Sequence, residues 1–382
     1  MPLGLNLVTK LAKCGRKPHL LGNSIGGGIR KYDELNEGER GTVYIAAWIM
    51  CRLVGWGPRR IRRKLVELYS VEVPFSTLNH WLYKRGKPRF RPRTFEKSLF
   101  YHKAYEMALG LKEEHPDWGY KRITAELSKM LPIRVPAITV YFWVTGRSRP
   151  NVTPLKLARE TLPYIAYCFG VGCGDYRRTV GSLRAKDRVF VERYAEAYER
   201  CTGVRIRVGP CRSGEGFWET YERGGWLRSG LRIGVWKVFA ELDPVNWLRG
   251  LFDSEGNSSP HLMHSKRVLY GMVISLTTGN LEVKEFAKRK LEELGFRVRD
   301  RYDNGEVRAI KGIKYRFGGR WKLYIWRWDD AKLFQKLIGF RESRKMKMLE
   351  DLLKLRQLPP TERYELWIEM YYKAPNGRWR SR

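Results

Sequence analysis

In the second half of the chain, apolar residues recur at helical spacing over short stretches and then switch to strict alternation, the pattern of a mixed α+β protein. Over residues 246–256, Leu248, Leu251 and Phe252 share one helical face, while Gly250 and Ser254 stand four apart on a strip of small residues. Such a strip lets a second backbone approach closely. Gly256 is placed to stop this helix in the left-handed conformation, which leaves Glu255 in the last turn. A carboxylate there faces the negative end of the helix dipole and calls for a nearby cation. Residues 164–176 carry the same pattern in register, with Gly170 80 positions before Gly250, Gly174 80 before Ser254 and Asp175 80 before Glu255. Two helices packed through these small residues would set Asp175 beside Glu255, and like charges that close require metal ions or a raised pKa.

Each of these stretches is followed by a helix and alternating segments. Residues 184–203 read as a helix with Val191, Tyr194, Ala195 and Tyr198 inward, then a strand over 204–208 in which Arg205 and Arg207 alternate with apolar residues. At an offset of 92, Val283, Phe286 and Ala287 repeat the helix, Gly295 repeats Gly203, and Phe296, Arg297, Val298 and Arg299 repeat the strand. One face of each sheet is therefore expected to be basic. Further strands are expected over 217–221, 313–317 and 321–326, the last two pairing across Gly318 and Gly319, with a turn at Asp303, Asn304 and Gly305. Between Asp175 and the first of these helices only about ten residues remain, too few for a full hairpin, whereas residues 257–278 provide one.

The first 150 residues contain a duplication. Sliding the chain by 62 superposes Trp56, Gly57, Arg60, Ile61, Leu65, Val73, Pro74, Thr77, Trp81, Arg85 and Pro88 on identical residues, 11 in 33 positions without a gap. Each unit reads as three helices, in the first unit over 42–53, over 58–69, and from near Ser76 to before Pro88. This spacing looks like a helix-turn-helix fold, similar to the DNA-binding units of transposases and invertases. The resemblance implies that the third helix enters the major groove. Ser76, Thr77, Asn79, His80, Tyr83 and Lys84 would then face DNA in unit one, and Thr139, Tyr141, Phe142 and Thr145 in unit two. Leu78, Trp81 and Leu82, with Val140, Trp143 and Val144, would be inward, and Arg59, Arg60, Arg62, Arg63 and Lys64 would hold phosphates. The competing reading is a helical bundle for protein contact.

Charge narrows the partners. Lys and Arg total 74 against 40 acidic residues, a formal charge of +34 spread along the whole chain, so nucleic acid is the first candidate and a membrane surface the second. No apolar run is long enough to span a bilayer and no signal-peptide core precedes a cleavage site, so a soluble intracellular protein, cytoplasmic and nucleoid-associated, is expected. Six cysteines form no C-x-x-C pair, which argues against a zinc ribbon; Cys168 and Cys173 are expected as small core residues.

Leu248, Gly250, Leu251, Phe252, Asp253, Glu255 and Gly256 resemble the LAGLIDADG motif of homing endonucleases, and residues 164–176 resemble a weaker second copy in which Tyr176 stands where the family has Gly. The resemblance implies an α+β fold of two pseudo-symmetric αββαββα units forming a DNA saddle, preceded by an all-α tandem helix-turn-helix region. The corresponding division is a flexible basic arm over 1–38, helix-turn-helix units over 39–90 and 91–157 with a linker, motif units over 158–245 and 246–355, and a helix and basic tail over 356–382. It further implies a site-specific, metal-dependent endodeoxyribonuclease, with Asp175 and Glu255 catalytic and each binding Mg²⁺ or Mn²⁺. Thr77, Asn79, His80, Lys84, Arg205, Arg207, Arg297, Arg299 and Lys322 would contact DNA, with Tyr324 behind them, and Lys345 would stabilise developing phosphate charge. Double-stranded DNA is the implied partner of a monomer with internal pseudo-twofold symmetry, with intron RNA as a second. Two alternatives remain open on the same fold, a non-catalytic DNA-binding transcriptional regulator and an RNA-splicing maturase. A transposase, which needs a carboxylate triad, finds no support in the spacing.

Overall fold

The computed structural model describes residues 28–382 apart from residues 85, 212–215, 306, 311–312, 317 and 375–378, and only the backbone of residues 307–310 and 313–316. Of the arm expected over 1–38, residues 1–27 lie outside the described residues. Residues 28–38 are folded: β1 (Arg30–Lys31) pairs in parallel with a later strand, and Asn36 caps the first helix by accepting from the Glu39 amide at 2.9 Å.

The duplicated sequence folds as two copies of one plan. The first is α1 (Glu37–Val54), α2 (Pro58–Tyr69), β2 (Val71–Glu72) and α3 (Phe75–Leu82); the second is α4 (Thr94–Glu114), α5 (Tyr120–Met130) and α6 (Ala137–Val144). The repeated identities have structural causes. Ile61 and Leu65, like Ile123 and Leu127, are buried on the inner face of the second helix, and Trp81 and Trp143 anchor the third. Gly57 and Gly119 precede α2 and α5, and the Arg60 guanidinium lies 3.9 Å from the Trp56 ring as Arg122 lies 4.1 Å from Trp118.

After residue 160 two larger units follow. The first runs α7 (Leu162–Cys173), β3 (Tyr176–Arg177), β4 (Ser182–Ala185), α8 (Arg188–Thr202), β5 (Val208–Pro210), β6 (Trp218–Tyr221), α9 (Trp226–Ile233) and α10 (Trp236–Leu242). The second runs α11 (Pro244–Glu255), β7 (Gly256–Met263), β8 (Val268–Thr278), α12 (Leu281–Glu293), β9 (Arg299–Asp303), β10 (Val307–Ile310), β11 (Ile313–Arg316), β12 (Arg320–Ile325), α13 (Trp328–Leu337) and α14 (Ser343–Lys354). Their four-stranded antiparallel sheets have the orders β3-β4-β6-β5 and β7-β8-β12-β9. Counting strands within each sheet, both orders are first, second, fourth, third. The hairpin of β10 and β11 is an insertion in the second unit only. The chain ends in α15 (Pro360–Met370), which packs on β8, and a hairpin of β13 (Tyr371–Lys373) and β14 (Trp379–Ser381).

Four expectations are corrected. The stretch thought too short for a hairpin holds a small one, β3 with β4, turned at Gly181 with φ 70°, and α8 consequently begins at Arg188 behind its Asp187 cap. The strands expected over 204–208 and 296–299 start later, at Val208 and Arg299, because the extended residues leaving the helices at Gly203 and Gly295 reach a ladder partner only there. β11 pairs with β10, not across Gly318 and Gly319 with β12, which lies between β8 and β9. Gly256 ends α11 in extended backbone, φ −83°, not in the left-handed region. Glycine is required there for a different reason: a Cβ would lie 2.4 Å from the Phe252 carbonyl oxygen.

The helical region is joined to the first of the later units, and through Glu241 of α10 to the second. The Tyr69 hydroxyl donates to the Gly234 carbonyl at 3.2 Å, Lys237 Nζ donates to the Leu68 carbonyl at 3.1 Å, and the Phe95 amide donates to Ser229 Oγ at 3.1 Å. Glu241 pairs with Lys64 of α2 at 2.6 Å and with Lys290 of α12 at 2.5 Å. Burial raises the Glu241 pKa, but the two ammoniums outweigh it and hold the carboxyl below its ordinary value.

Candidate active site and nucleic-acid interface

α7 and α11 cross with their backbones in contact, and the contact is reciprocal. A Cβ on Gly170 would lie 2.1 Å from the Trp247 carbonyl oxygen, and one on Gly250 would lie 2.3 Å from the Tyr167 carbonyl oxygen. The next nearest backbone atoms are the amide nitrogens of Leu251 and Val171, both at 2.9 Å. Each of these residues has its counterpart 80 positions away, so the same backbone arrangement is met from both sides. Only glycine allows it, since no side chain can enter a space filled by main chain. One turn on, a Cβ on Gly174 would lie 2.5 Å from Ser254 Cβ and 2.9 Å from Glu255 Cγ.

This crossing delivers the two acidic residues to one end of the helix pair. Glu255 is the last residue of α11 and half-buried, and Asp175 follows the end of α7 and is exposed. Burial raises the Glu255 pKa to about 7, and the charge of Asp175 adds to the rise, while Arg320 and Lys345 oppose it. Asp175 and Glu255 are therefore within electrostatic reach of one another. Among the described residues no cluster of three or more His, Cys, Asp or Glu accompanies them. Two carboxylates from different helices, open on one side, suit a hard divalent cation that keeps most of its waters and takes further oxygens from phosphate. They do not suit zinc, which closes its shell with nitrogen and sulfur ligands.

A third carboxylate in the motif has another task. Asp253 is buried, accepting from the Tyr167 hydroxyl of α7 at 2.8 Å and from the amides of Arg341 and Glu342 at 2.8 and 3.2 Å. It ties α7, α11 and the start of α14 together. Its counterpart 80 positions earlier is Cys173, buried opposite Trp247 as Asp253 is opposite Tyr167. Asp253 stands in the motif, and its bond to Tyr167 follows from a helical phase that turns it toward α7.

Lys345 comes close to the carboxylates but is not open to solvent. Its side chain is buried, and its ammonium donates to the carbonyls of Phe252 at 3.1 Å and Ser254 at 3.4 Å and, more closely, of Asp253. Burial lowers its pKa, opposed by Glu342, Asp253 and Asp175.

The strand registers place the remaining residues. In the second sheet, Asn257, Ser259 and His261 of β7, Ser275 and Thr277 of β8, Arg320, Lys322 and Tyr324 of β12, and Arg299 and Arg301 of β9 project from one face. The other face carries Ile274, Leu276, Leu323 and Ile325, all buried. Arg299 stacks on Trp326 at 4.3 Å, and Lys322 pairs with Asp303 at 2.5 Å. Arg205, Arg207 and Arg297 are exposed in the extended segments just before β5 and β9. On α3, His80 is exposed and Thr77 and Asn79 half-buried, about a helix anchored by Leu78 and Trp81, and Lys84 is exposed two residues beyond the helix end. The corresponding helix of the second unit, α6, is apolar outside, with Ile138 and Phe142 exposed. Among the described residues no helix is long and apolar enough to cross a membrane.

No family model matches the chain. An uncharacterized protein of Methanocaldococcus jannaschii is 23% identical over 252 residues, 62% of this chain and 89% of that one. Among solved structures, the homing endonuclease I-DmoI in complex with DNA and Ca is 15% identical with a TM-score of 0.33, covering 50% of this chain and 98% of that one. Full-length DUF199/WhiA from Thermatoga maritima is 16% identical with a TM-score of 0.29, covering 55% of this chain and 66% of that one.

Proposed function

We propose that this chain is a metal-dependent endodeoxyribonuclease of the LAGLIDADG homing type that cuts both strands of a long DNA site. The observation that carries the reading is the reciprocal glycine contact of α7 and α11, which brings Asp175 and Glu255 together from opposite units. Asp175 and Glu255 would hold a divalent cation, Mg²⁺ or Mn²⁺, whose chemistry when bound would be charge neutralisation at the scissile phosphate and activation of water. The chain's own residues do the rest. Asp175 and Glu255 would hold the ion and orient the water for attack on phosphorus. Arg205, Arg207 and Arg297 are exposed and Arg299 and Lys322 stand on the polar face of the second sheet, and with a formal charge of +34 they favour the phosphates of a duplex. Thr77, Asn79 and His80 on α3, with Lys84 just beyond it, extend the contacted sequence. On this reading Lys345 acts on the site from beneath and does not touch phosphate.

One observation favours the regulator as a second reading: α7 stops at Cys173, before its carboxylate, whereas α11 runs through Glu255. The two are separated by incubating the chain with Mg²⁺ and a plasmid library of randomised inserts. Linear product from the wild type, reduced at least about 100-fold by Asp175→Asn or Glu255→Gln, supports the nuclease. Tight binding to selected inserts with no product at any Mg²⁺ or Mn²⁺ concentration supports the regulator.

A further inference from the structure

A carboxylate on the last residue of a helix is in an unfavourable place, because the final carbonyls gather partial negative charge and have no amide left to accept. Glu255 sits there, and nothing in α11 itself relieves it. Relief comes from ninety residues further on. Lys345, three residues into α14 from its Glu342 cap, sends its ammonium to the carbonyls of Phe252, Asp253 and Ser254, the three that immediately precede Glu255.

The lysine is itself fixed. Its amide donates to Glu342 at 2.5 Å, and its carbonyl accepts from Ser258 Oγ at 3.1 Å, so its backbone is joined to β7 three residues beyond Glu255. Burying an ammonium is costly unless it is hydrogen-bonded and faced by opposite charge. Here it has three carbonyls, with Asp253 and Glu342 nearby. With no turn residue between α11 and β7, any unwinding of this last turn would shift Glu255 relative to Asp175.

We propose that Lys345 is a positioning residue for Glu255: by holding the three preceding carbonyls it fixes the end of α11 and presents the Glu255 carboxylate to a divalent cation shared with Asp175. The inference rests on the nuclease reading of the carboxylate pair but makes a separate prediction. Removing an outer partner of a metal ligand lowers metal affinity about 10–100-fold, without removing a ligand.

The test is calorimetric titration of Mn²⁺ into the full-length wild type, Lys345→Met, Glu255→Gln and the double variant, with thermal melts of each. Lys345→Gln, which keeps two N–H donors, is read in the same way where Lys345→Met does not fold. The expected result is a 10–100-fold weaker Mn²⁺ affinity in the lysine variant, with the double variant no weaker than Glu255→Gln alone. A purely structural lysine would lower the melting temperature while leaving Mn²⁺ affinity at the wild-type value, and that overturns the proposal. Additive losses in the double variant overturn it too, because they show the lysine acting independently of Glu255. Failure of the underlying reading looks different: the wild type itself would then bind no Mn²⁺ that Glu255→Gln abolishes.

Discussion

Where α7 and α11 cross, the two units of the molecule are interchangeable, with Gly170 lying on the Trp247 carbonyl and Gly250 on the Tyr167 carbonyl. At the ends of the same helices they are not. The first unit closes with Tyr176, buried, whose hydroxyl donates to Glu222, which also accepts from the Leu227 amide at 2.6 Å. The second closes with Gly256, running straight into β7 over the buried Lys345. Symmetry is kept where main chain meets main chain, since no substitution fits there. It is lost where side chains lock each helix end to its own unit. One carboxylate is left exposed and the other half-buried beside a fixed cation.

The comparison can be broken most forcefully at the crossing. Gly170→Ala and Gly250→Ala each drive a methyl into backbone that cannot yield, and each is expected to cost about 3 kcal/mol in denaturant unfolding. Similar losses would uphold the symmetry of the crossing, and a cost confined to one of them would refute it. Glu241→Gln removes the carboxylate that Lys64 and Lys290 share, leaving Lys64 with Glu67 and Lys290 with Glu293, and is expected to cost about 1–3 kcal/mol, loosening α10 from α2 and α12. Limited proteolysis before and after α4 is the readout.

Tyr176→Phe leaves Glu222 one donor short and is expected to cost about 1–3 kcal/mol, with Mn²⁺ affinity unchanged. A fall in affinity would show that the first unit's lock also positions its carboxylate, as Lys345 does in the second.

A smaller effect appears with pH. The Glu255 pKa is raised from 4.5 to about 7, first by burial and then by Asp175, so between those values the folded chain holds a proton that the unfolded chain has released. Its contribution to stability is full below pH 4.5 and is lost as pH rises through about 7. In EDTA, Glu255→Gln should therefore melt a few degrees above the wild type at pH 8 and level with it near pH 4.5. Parallel melting profiles across that range would place the carboxylate in open solvent. The smallest expected effects are those of Arg60→Ala and Arg122→Ala, about 0.5–1 kcal/mol each through the lost stacks on Trp56 and Trp118, and equal if the two helical units are true copies.

Much of this arrangement is written in short-range patterns. The offset of 80 marks Gly170 and Gly250, where facing main chain admits only glycine, and that of 62 marks Trp56 and Trp118, each stacked under an arginine four residues on, so both were legible. α9 and α10 were not foreseen. α10 escapes because residues 236–240 are all buried and leave no polar face, whereas α9 carries a buried stripe at helical spacing, Trp226, Leu227, Gly230 and Leu231, and was legible in principle. The positions where β5 and β9 begin also escaped, because a ladder partner determines where an extended segment becomes a strand. Lys345 was expected to stabilise phosphate charge, since only the fold brings it under carbonyls some ninety residues away.

The central claim is that Asp175 and Glu255 form one cation-holding centre. It is tested most directly by crystals of the full chain grown with Mn²⁺, with anomalous differences recorded at the manganese edge. The account predicts a peak at the foot of the α7 and α11 pair, within about 2.5 Å of oxygens from both carboxylates, and its loss in Asp175→Asn and Glu255→Gln crystals. Manganese bound elsewhere, with the two carboxylates turned to separate solvent, would contradict it.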